Sequence, residues 1–479
     1  MSNIKHKLLY RLGALLVILT SLLCGQTSEH NCYSILVGKK ASASGAVLFA
    51  HNEDDWDEQV VYWHKVPRMR YTVTDTIVLK NGGKLPQIAE TCAYLWLELP
   101  GMEFGDSYLN EYGVTIASNA CRSRKKDARL TDGGIDYDLR RILAERARSA
   151  REAVKIAGRL IQRFGYNSSG RTYCIADPNE AWMLAIVYGK IWVAQRVPDE
   201  KVVIIPNYYV IQNIDLGDTL NFLGARDAVS FAILQGWYQP AAGHLFNFRQ
   251  TYSDFNELTN PDNITRHWQG LNLLSEKPYR IEDELPCAFQ PKNKITRTDM
   301  MQVLRSHYQP APDTSANPHQ QERMTICSVA NQYGFVAELR SWLPAEIGAI
   351  WWIAPRRPCI QPFVPLYAGT EALPPDYSAW DVTTARRLHF NLPENVYTPD
   401  LKIAYWLFDR RVTEIDESWG KLSTGEARRA LLLEQQIVRE FEQADVKITK
   451  RYQTRPAEGR RLITEWTINA LQYLIRFNQ

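Results

Sequence analysis

A cysteine opens the first strand-like run of this chain, a few residues after a segment built like an export signal. The order is Glu29-His30-Asn31-Cys32-Tyr33-Ser34-Ile35-Leu36-Val37-Gly38, followed by a second strand-like run and Ala50-His51-Asn52-Glu53-Asp54-Asp55. If the chain is cut before Cys32, one residue carries both a thiol and a free α-amine. That is a nucleophile with its own general base. The α-amine ordinarily titrates at roughly 7.7–8.0, near working pH, where a base is most useful. A thiol is also the most nucleophilic common side chain near neutrality. The plain alternative is a buried small hydrophobe, which is what most cysteines are.

The N-terminus supplies context. Lys5, Lys7 and Arg11 precede an apolar run from Gly13 to Cys24. A basic start with a short apolar core is the pattern of a secretory signal, and the run is short for a membrane span. An N-terminal anchor is the alternative reading of the same residues. Cleavage is expected near Cys24–Gln26, giving a signal over residues 1–25 and a short propeptide over 26–31. Lipidation of Cys24 is a further reading, although Leu23 is larger than the small residue such sites want. Either cut leaves residues in front of Cys32, so freeing its α-amine needs a second event, expected to be self-cleavage. No other segment is apolar enough to span a bilayer, so the mature protein is expected to be exported, periplasmic or extracellular.

The formal charge is +3 with both signs mixed, and neither a basic block nor zinc-like cysteine spacing is present, which argues against nucleic acid as a partner. Cys92, Cys121, Cys174, Cys287, Cys327 and Cys359 are scattered without a Cys-x-x-Cys pair; several sit in apolar runs and read as buried thiols, though export permits disulfides. The nine histidines are scattered and no His-Glu-x-x-His spacing occurs, which argues against a metalloenzyme.

Strands come first, then alternation. Segments 33–38, 46–51, 59–65, 72–79, 93–99 and 113–119 are rich in Val, Ile, Tyr, Trp and Leu and read as strands. Helical spacing of apolar residues predicts one long helix from Tyr137 to Phe164 with Asp136 as its N-cap. Strands return at 171–176, 181–187, 190–196 and 202–211, and a strand pair is expected at 324–330 and 334–339. Residues 240–318 are loop-rich and aromatic. From residue 396 onward the chain is charged and helical, clearest over Glu426–Phe441 and Arg460–Ile475.

Several blocks now carry a resemblance: Cys32–Ser42, Asn110-Glu111-Tyr112-Gly113-Val114 with Asn119, Ile175-Ala176-Asp177-Pro178-Asn179-Glu180-Ala181-Trp182, Ala194–Asp199, Phe335–Arg340 and Phe363–Gly369. In their order and spacing the chain resembles the secreted cysteine dipeptidases of the N-terminal-nucleophile hydrolase superfamily. It is more distantly similar to penicillin V acylases and bile salt hydrolases. The resemblance implies an α+β fold, the four-layer αββα sandwich, over residues 32–395 with a helical C-terminal extension over 396–479. It implies a dipeptide or short-peptide substrate turned over without a metal or organic cofactor, and leaves a homo-oligomer open; the lack of a second apolar segment argues against an integral membrane domain in the mature chain.

The resemblance also distributes roles. Cys32 is the nucleophile. Asp54 is the carboxylate kept near it, with a solvated turn as the plain alternative. Asn119 ends a strand and is a candidate oxyanion donor, or an asparagine making a turn. Asn207, after Pro206, resembles the second asparagine of the superfamily site, and Arg266 its late arginine, each with an ordinary turn or surface role as the alternative. One departure stands out: this chain has His51 where the family commonly has arginine, three residues before Asp54. Arginine is permanently charged, whereas histidine titrates near neutrality, so His51 is expected either to bind substrate and shift pH dependence or simply to fill space. Two other functions remain at this stage: an N-acyl amidase of the bile salt or penicillin V type, and a non-catalytic exported protein on the same fold.

Overall fold

A computed structural model describes residues 32–56, 59–307, 316–320 and 324–479. The expected signal, Cys24 and segment 26–31 lie outside the described residues. In chain order the strands of the two large sheets are β1 (Tyr33–Val37), β2 (Val47–Asp54), β3 (Tyr62–Val66), β4 (Tyr94–Glu98), β5 (Ser107–Asn110), β6 (Thr115–Ala120), β7 (Arg171–Ala176), β8 (Ala181–Ile186), β9 (Trp192–Arg196), β10 (Val202–Ile205), β11 (Phe222–Gly224), β12 (Asn331–Leu339), β13 (Ala349–Pro355) and β14 (Val364–Tyr367). One sheet has the order β10-β1-β2-β12-β13-β14; the other runs β11-β9-β8-β7-β6-β5-β4-β3. Every pairing within them is antiparallel.

The sheets meet face to face. Trp351 Nε1 donates to Thr115 Oγ1 at 2.8 Å, and the Tyr333 hydroxyl donates to the Gly105 carbonyl at 2.7 Å. Phe335 packs between Phe49 and Trp351, with ring centroids 5.3 and 4.9 Å away. Helices cover the outer faces. On the eight-stranded sheet lie α1 (Asp138–Arg146) and α2 (Ala150–Phe164); on the six-stranded sheet lie α3 (Pro261–Leu274), α4 (Arg297–Leu304), α6 (Trp419–Thr454) and α7 (Pro456–Asn478), with α5 (Ala404–Glu417) packed on α6 and α7. With both faces of each sheet covered, β1, β2, β7, β8 and β12 are buried along their whole length. Strands such as β8 and β10 therefore read as apolar runs rather than as an apolar–polar alternation, whereas β2 ends in the buried polar residues His51-Asn52-Glu53-Asp54. This is the expected α+β, four-layer αββα sandwich. The helices after residue 396 pack on the six-stranded sheet: Phe441 meets Trp352 at 4.9 Å between ring centroids, and Asp445 accepts from both Arg340 Nη atoms at 2.6 and 3.0 Å.

Several expectations about elements change: the stretch 240–318 carries α3 and α4, and the strand expected over 202–211 ends at Ile205. The single helix over 137–164 is two helices. Asn110 Nδ2 donates to the carbonyls of Ala144 and Ala147 at 3.0 and 2.7 Å, supplying the partners that further helix would have given. Ser149 then caps α2 by accepting from the Glu152 amide at 3.1 Å, while the Glu152 carboxylate accepts from the Arg148 amide at 2.8 Å. Segment 324–330 is irregular rather than a strand. Ser328 and Asn331 side chains bond the local backbone, Asn331 Oδ1 accepting from the Ser328 amide at 2.9 Å, which draws the chain out of any ladder. Finally, β2 continues to Asp54, so His51 to Asp54 lie inside a central strand.

Candidate active site

The register of the first hairpin builds the site. Ser34 pairs with His51 and Tyr33 with Asn52. Continued by one step, this register brings Cys32 opposite Glu53, and Cys32 Sγ lies 3.1 Å from Glu53 Oε1. Side chains alternate along a strand. Cys32, Ser34, His51 and Glu53 therefore point to the space between the sheets, while Asn52 and Asp54 point to the outer helices. All six are buried.

On the inner face a continuous run of hydrogen bonds ends at the thiol. Asn119, on β6 of the facing sheet, donates through Nδ2 to the carbonyls of Cys32 and Ile205, at 2.8 and 2.9 Å. Its Oδ1 is thus an acceptor, and Ser34 Oγ donates to it at 2.6 Å. Ser34 Oγ, having given its only proton, accepts from His51 Nδ1 at 2.8 Å. His51 Nε2 stands 2.8 Å from Glu53 Oε2. Burial, then Arg140 and Arg171, lower the His51 pKa to about 3, so the ring is neutral and Nε2 has no proton to give. Glu53 must then donate, and it is protonated: burial first, then Asp55, hold its carboxyl well above the usual range. Glu53 Oε1 is left to accept from the Cys32 S–H. Burial, then Glu53 and Asp55, push that thiol above its usual range. The bonding pattern and the pKa directions give one answer, an uncharged network of protonated Glu53, Nδ1–H His51 and thiol Cys32.

Outside the sheet a second cluster forms. Asn331 Nδ2 donates to Asp54 Oδ1. Burial raises the Asp54 pKa and the Arg266 charge pulls it back. Arg266 extends from α3, where its Nη2 donates to Asn207 Oδ1 at 2.8 Å and Asn263 Oδ1 at 2.9 Å. Asn207 Nδ2 donates across to the Ala120 carbonyl at 3.1 Å. Tyr33, next to Cys32, donates its hydroxyl to the Arg266 carbonyl at 3.3 Å. The structure therefore gathers Cys32, His51 and Asn119 into one network, and Asp54, Asn207 and Arg266 into another. Cys32 sits where they meet, its Sγ 4.0 Å from the Asp54 carbonyl oxygen. Asp54 is inside a strand, not in a solvated turn. His51 does not titrate near neutrality, and both its ring nitrogens have protein partners.

Sequence reading passed over Glu53, Ser34, Asn331 and two buried arginines. Arg140 donates to the Asp106 carbonyl at 2.6 Å, and Arg171 lies 3.9 Å over the Phe104 ring. Both act on His51 and Glu53. A cavity of about 440 Å³ opens next to this region, lined by Asp55, Trp56, Ala330, Arg356, Tyr405 and Asp409 among others, with Arg356 Nη2 paired to Asp409 Oδ1 at 2.9 Å. No helix among the described residues is long and apolar enough to cross a membrane.

A four-layer αββα sandwich with a cysteine opening a strand of its six-stranded sheet is the fold class that the sequence resemblance to N-terminal-nucleophile hydrolases implied. Within that class, the chain belongs to Peptidase family C69, whose sequence profile matches residues 110–408, and it is a peptidase. It is 24% identical over 406 residues to a probable dipeptidase of Latilactobacillus sakei, covering 81% of this chain and 82% of that one. It is 28% identical over 368 residues to a probable dipeptidase of Salmonella dublin, covering 72% of this chain and 83% of the relative. Among solved structures, a variant of conjugated bile acid hydrolase from Clostridium perfringens matches with a TM-score of 0.33 and 11% identity, covering 70% of this chain and 92% of that one.

Proposed function

We propose that this chain is an exported cysteine dipeptidase whose nucleophile is Cys32, acting from the N-terminus once the residues through Asn31 are removed. The observation that carries the reading is the network from Asn119 to Cys32. It fixes both the thiol and the carbonyl of one residue at the start of a buried strand. The relatives named dipeptidase support the substrate class.

In this reading the chain first acts on itself. The Cys32 thiol adds to the Asn31 carbonyl carbon, the C–N bond to the Cys32 nitrogen breaks, and that nitrogen takes a proton and becomes the α-amine. Water then hydrolyses the thioester. In turnover the α-amine takes the thiol proton and the sulfur attacks the substrate amide carbon. The ammonium passes its proton to the leaving amine, and water activated by the same amine releases the acid. Asn119 holds the nucleophile's backbone, and Arg266 and Asp54 set the charge beside it. The neighbouring cavity is lined by charged and aromatic side chains, among them Trp56, Tyr405 and the Arg356–Asp409 pair, which suits a small polar substrate such as a free dipeptide.

Intact mass and N-terminal sequencing of the exported protein test the first half. The reading expects a mature start at Cys32; an active enzyme starting at Gly25 or Gln26 would overturn it. Cys32→Ser should abolish turnover and leave the upstream residues attached. A panel of dipeptides beside taurine- and glycine-conjugated bile acids tests the second half. Preferential cleavage of the conjugates would replace the dipeptidase with an N-acyl amidase.

A further inference from the structure

Away from the nucleophile, His307, His319, Cys327 and Cys359 bring four ligating atoms to within 4.8 Å of one another. We propose that these four side chains form a tetrahedral Cys2His2 site for a structural divalent cation of the zinc type. His319 Nε2 lies 3.1 Å from His307 Nε2, 3.6 Å from Cys359 Sγ and 3.9 Å from Cys327 Sγ. A tetrahedral centre with metal–nitrogen bonds of about 2.0–2.1 Å and metal–sulfur bonds of about 2.3 Å separates its ligands by roughly 3.3 Å (N to N) and roughly 3.6 Å (N to S). The three separations from His319 Nε2 lie within about 0.3 Å of those values. Two thiolates with two imidazoles are also the donor set that selects zinc over harder cations.

The surroundings suit a closed site. His319 Nδ1 is 3.5 Å from Asp416 Oδ1 and 3.1 Å from Arg357 Nη1, and Arg357 is itself paired with Asp416. With the ion on Nε2, the His319 proton must sit on Nδ1 and turn to the Asp416 carboxylate, the outer partner that orients a ligating imidazole, so filling the site requires the Arg357 guanidinium, which can only donate, to draw back from Nδ1 toward Asp416. The Trp419 ring stands 4.9 Å from the His319 ring and 6.2 Å from the His307 ring, walling the cluster with apolar surface. Binding exchanges two thiol protons for the ion; no electron is transferred.

The ion would tie together elements that support the nucleophile. Cys327 lies between Ile326, whose carbonyl accepts from Asn52 at 2.9 Å, and Ser328, which with Asn331 holds Asp54. Cys359 lies in the connection between β13 and β14, and Asp416 in α5. A filled site therefore fastens the irregular stretch before β12 to the helical layer.

The test uses the whole protein. Purified with zinc and dialysed, the wild type should hold one equivalent by elemental analysis, and Cys359→Ser and His307→Gln should each lose most of it. Cobalt(II) bound to the wild type should give the intense visible bands of a tetrahedral site and sulfur-to-cobalt charge transfer, a readout independent of any variant's folding. A chelator should lower the melting temperature of the wild type. Cys32→Ser should keep the ion; its loss there would move the metal to Cys32, His51 and Glu53 and overturn the proposal. No bound zinc, an octahedral cobalt spectrum, or a Cys327–Cys359 disulfide in the unreduced mass map would also overturn it.

Discussion

Glu53 reaches Cys32 with one carboxyl oxygen, at 3.1 Å, and His51 with the other, at 2.8 Å. A single proton on Glu53 satisfies both contacts, because the neutral His51 ring accepts at Nε2 while the thiol donates to Oε1. The carboxyl is therefore a hydrogen-bonding bridge in the resting state rather than an ion.

That assignment separates two substitutions. Glutamine copies the protonated acid, with its oxygen accepting from Cys32 and its nitrogen donating to His51. Glu53→Gln should leave the melting temperature within a few degrees of wild type. Glu53→Ala strands a buried thiol and a buried imidazole, at about 1–3 kcal/mol for each unsatisfied group. Urea midpoints decide it: if Gln destabilises as much as Ala, Glu53 is ionised.

His51 sets a pH dependence. Its folded pKa of about 3 lies below the ordinary 6.5, chiefly because burial disfavours the charged ring. Between these values the unfolded chain binds a proton that the folded protein refuses. Stability supported by His51 is thus full above pH 6.5 and falls as the pH drops toward 3. From pH 7.5 to 5.0 the cost is about 2 kcal/mol. Denaturant midpoints at those two pH values should differ less in His51→Gln than in the wild type. Nitrogen NMR should find the wild-type ring as the Nδ1–H tautomer, with no titration between pH 5 and 8; an imidazolium at pH 6 would break the network as assigned.

The layers, and most strands, were legible because sheets covered on both faces need uninterrupted apolar runs, as in Val202–Ile205. Cys32, Asp54 and Asn119 were legible as residues but not as partners. Which of Glu53 and Asp54 faces the thiol depends on hairpin register, and a shift of one residue exchanges the faces. The sequence does not print that register, so Glu53 read only as a neighbour of Asp54. The helix break at Ala147 was hidden because its cause, Asn110, lies on another strand. The cluster of His307, His319, Cys327 and Cys359 was hidden for the same reason: its ligands come from separate segments and follow no short spacing.

Asn119 was expected to donate to an oxyanion, yet both its N–H bonds go to backbone carbonyls in this structure. As a positioning residue it should couple stability to turnover. Asn119→Ala removes a donor from two carbonyls and leaves the Ser34 hydroxyl proton without its acceptor, and Asn119→Asp sets a carboxylate against the same carbonyls. Asp should therefore be the worse of the two, by roughly 1 kcal/mol or more. Urea midpoints and kcat are measured together. A thousand-fold fall in kcat with unchanged stability in Asn119→Ala would instead mark it as an oxyanion donor.

Gly270 determines how closely α3 approaches the nucleophile's strand. A Cβ there would lie 2.0 Å from the Tyr33 hydroxyl oxygen and 2.8 Å from Ile204 Cδ1, so Gly270→Ala must push the helix outward or turn the tyrosine. Either motion reaches the site. Tyr33 bonds the Arg266 carbonyl, and Arg266 Nη2 bonds Asn207. Overpacking of this kind costs about 1–3 kcal/mol, and kcat should fall with it as Arg266 leaves Asp54. Tyr33→Phe removes the atom that the new methyl meets first. The double variant Gly270→Ala/Tyr33→Phe should recover part of both losses, a non-additivity that a double-mutant cycle reads directly. Strict additivity of the two changes would mean that the helix seat and the tyrosine hydroxyl are independent, and that Arg266 is positioned by its side-chain contacts, Asn207 and Asn263 among them, without help from Tyr33.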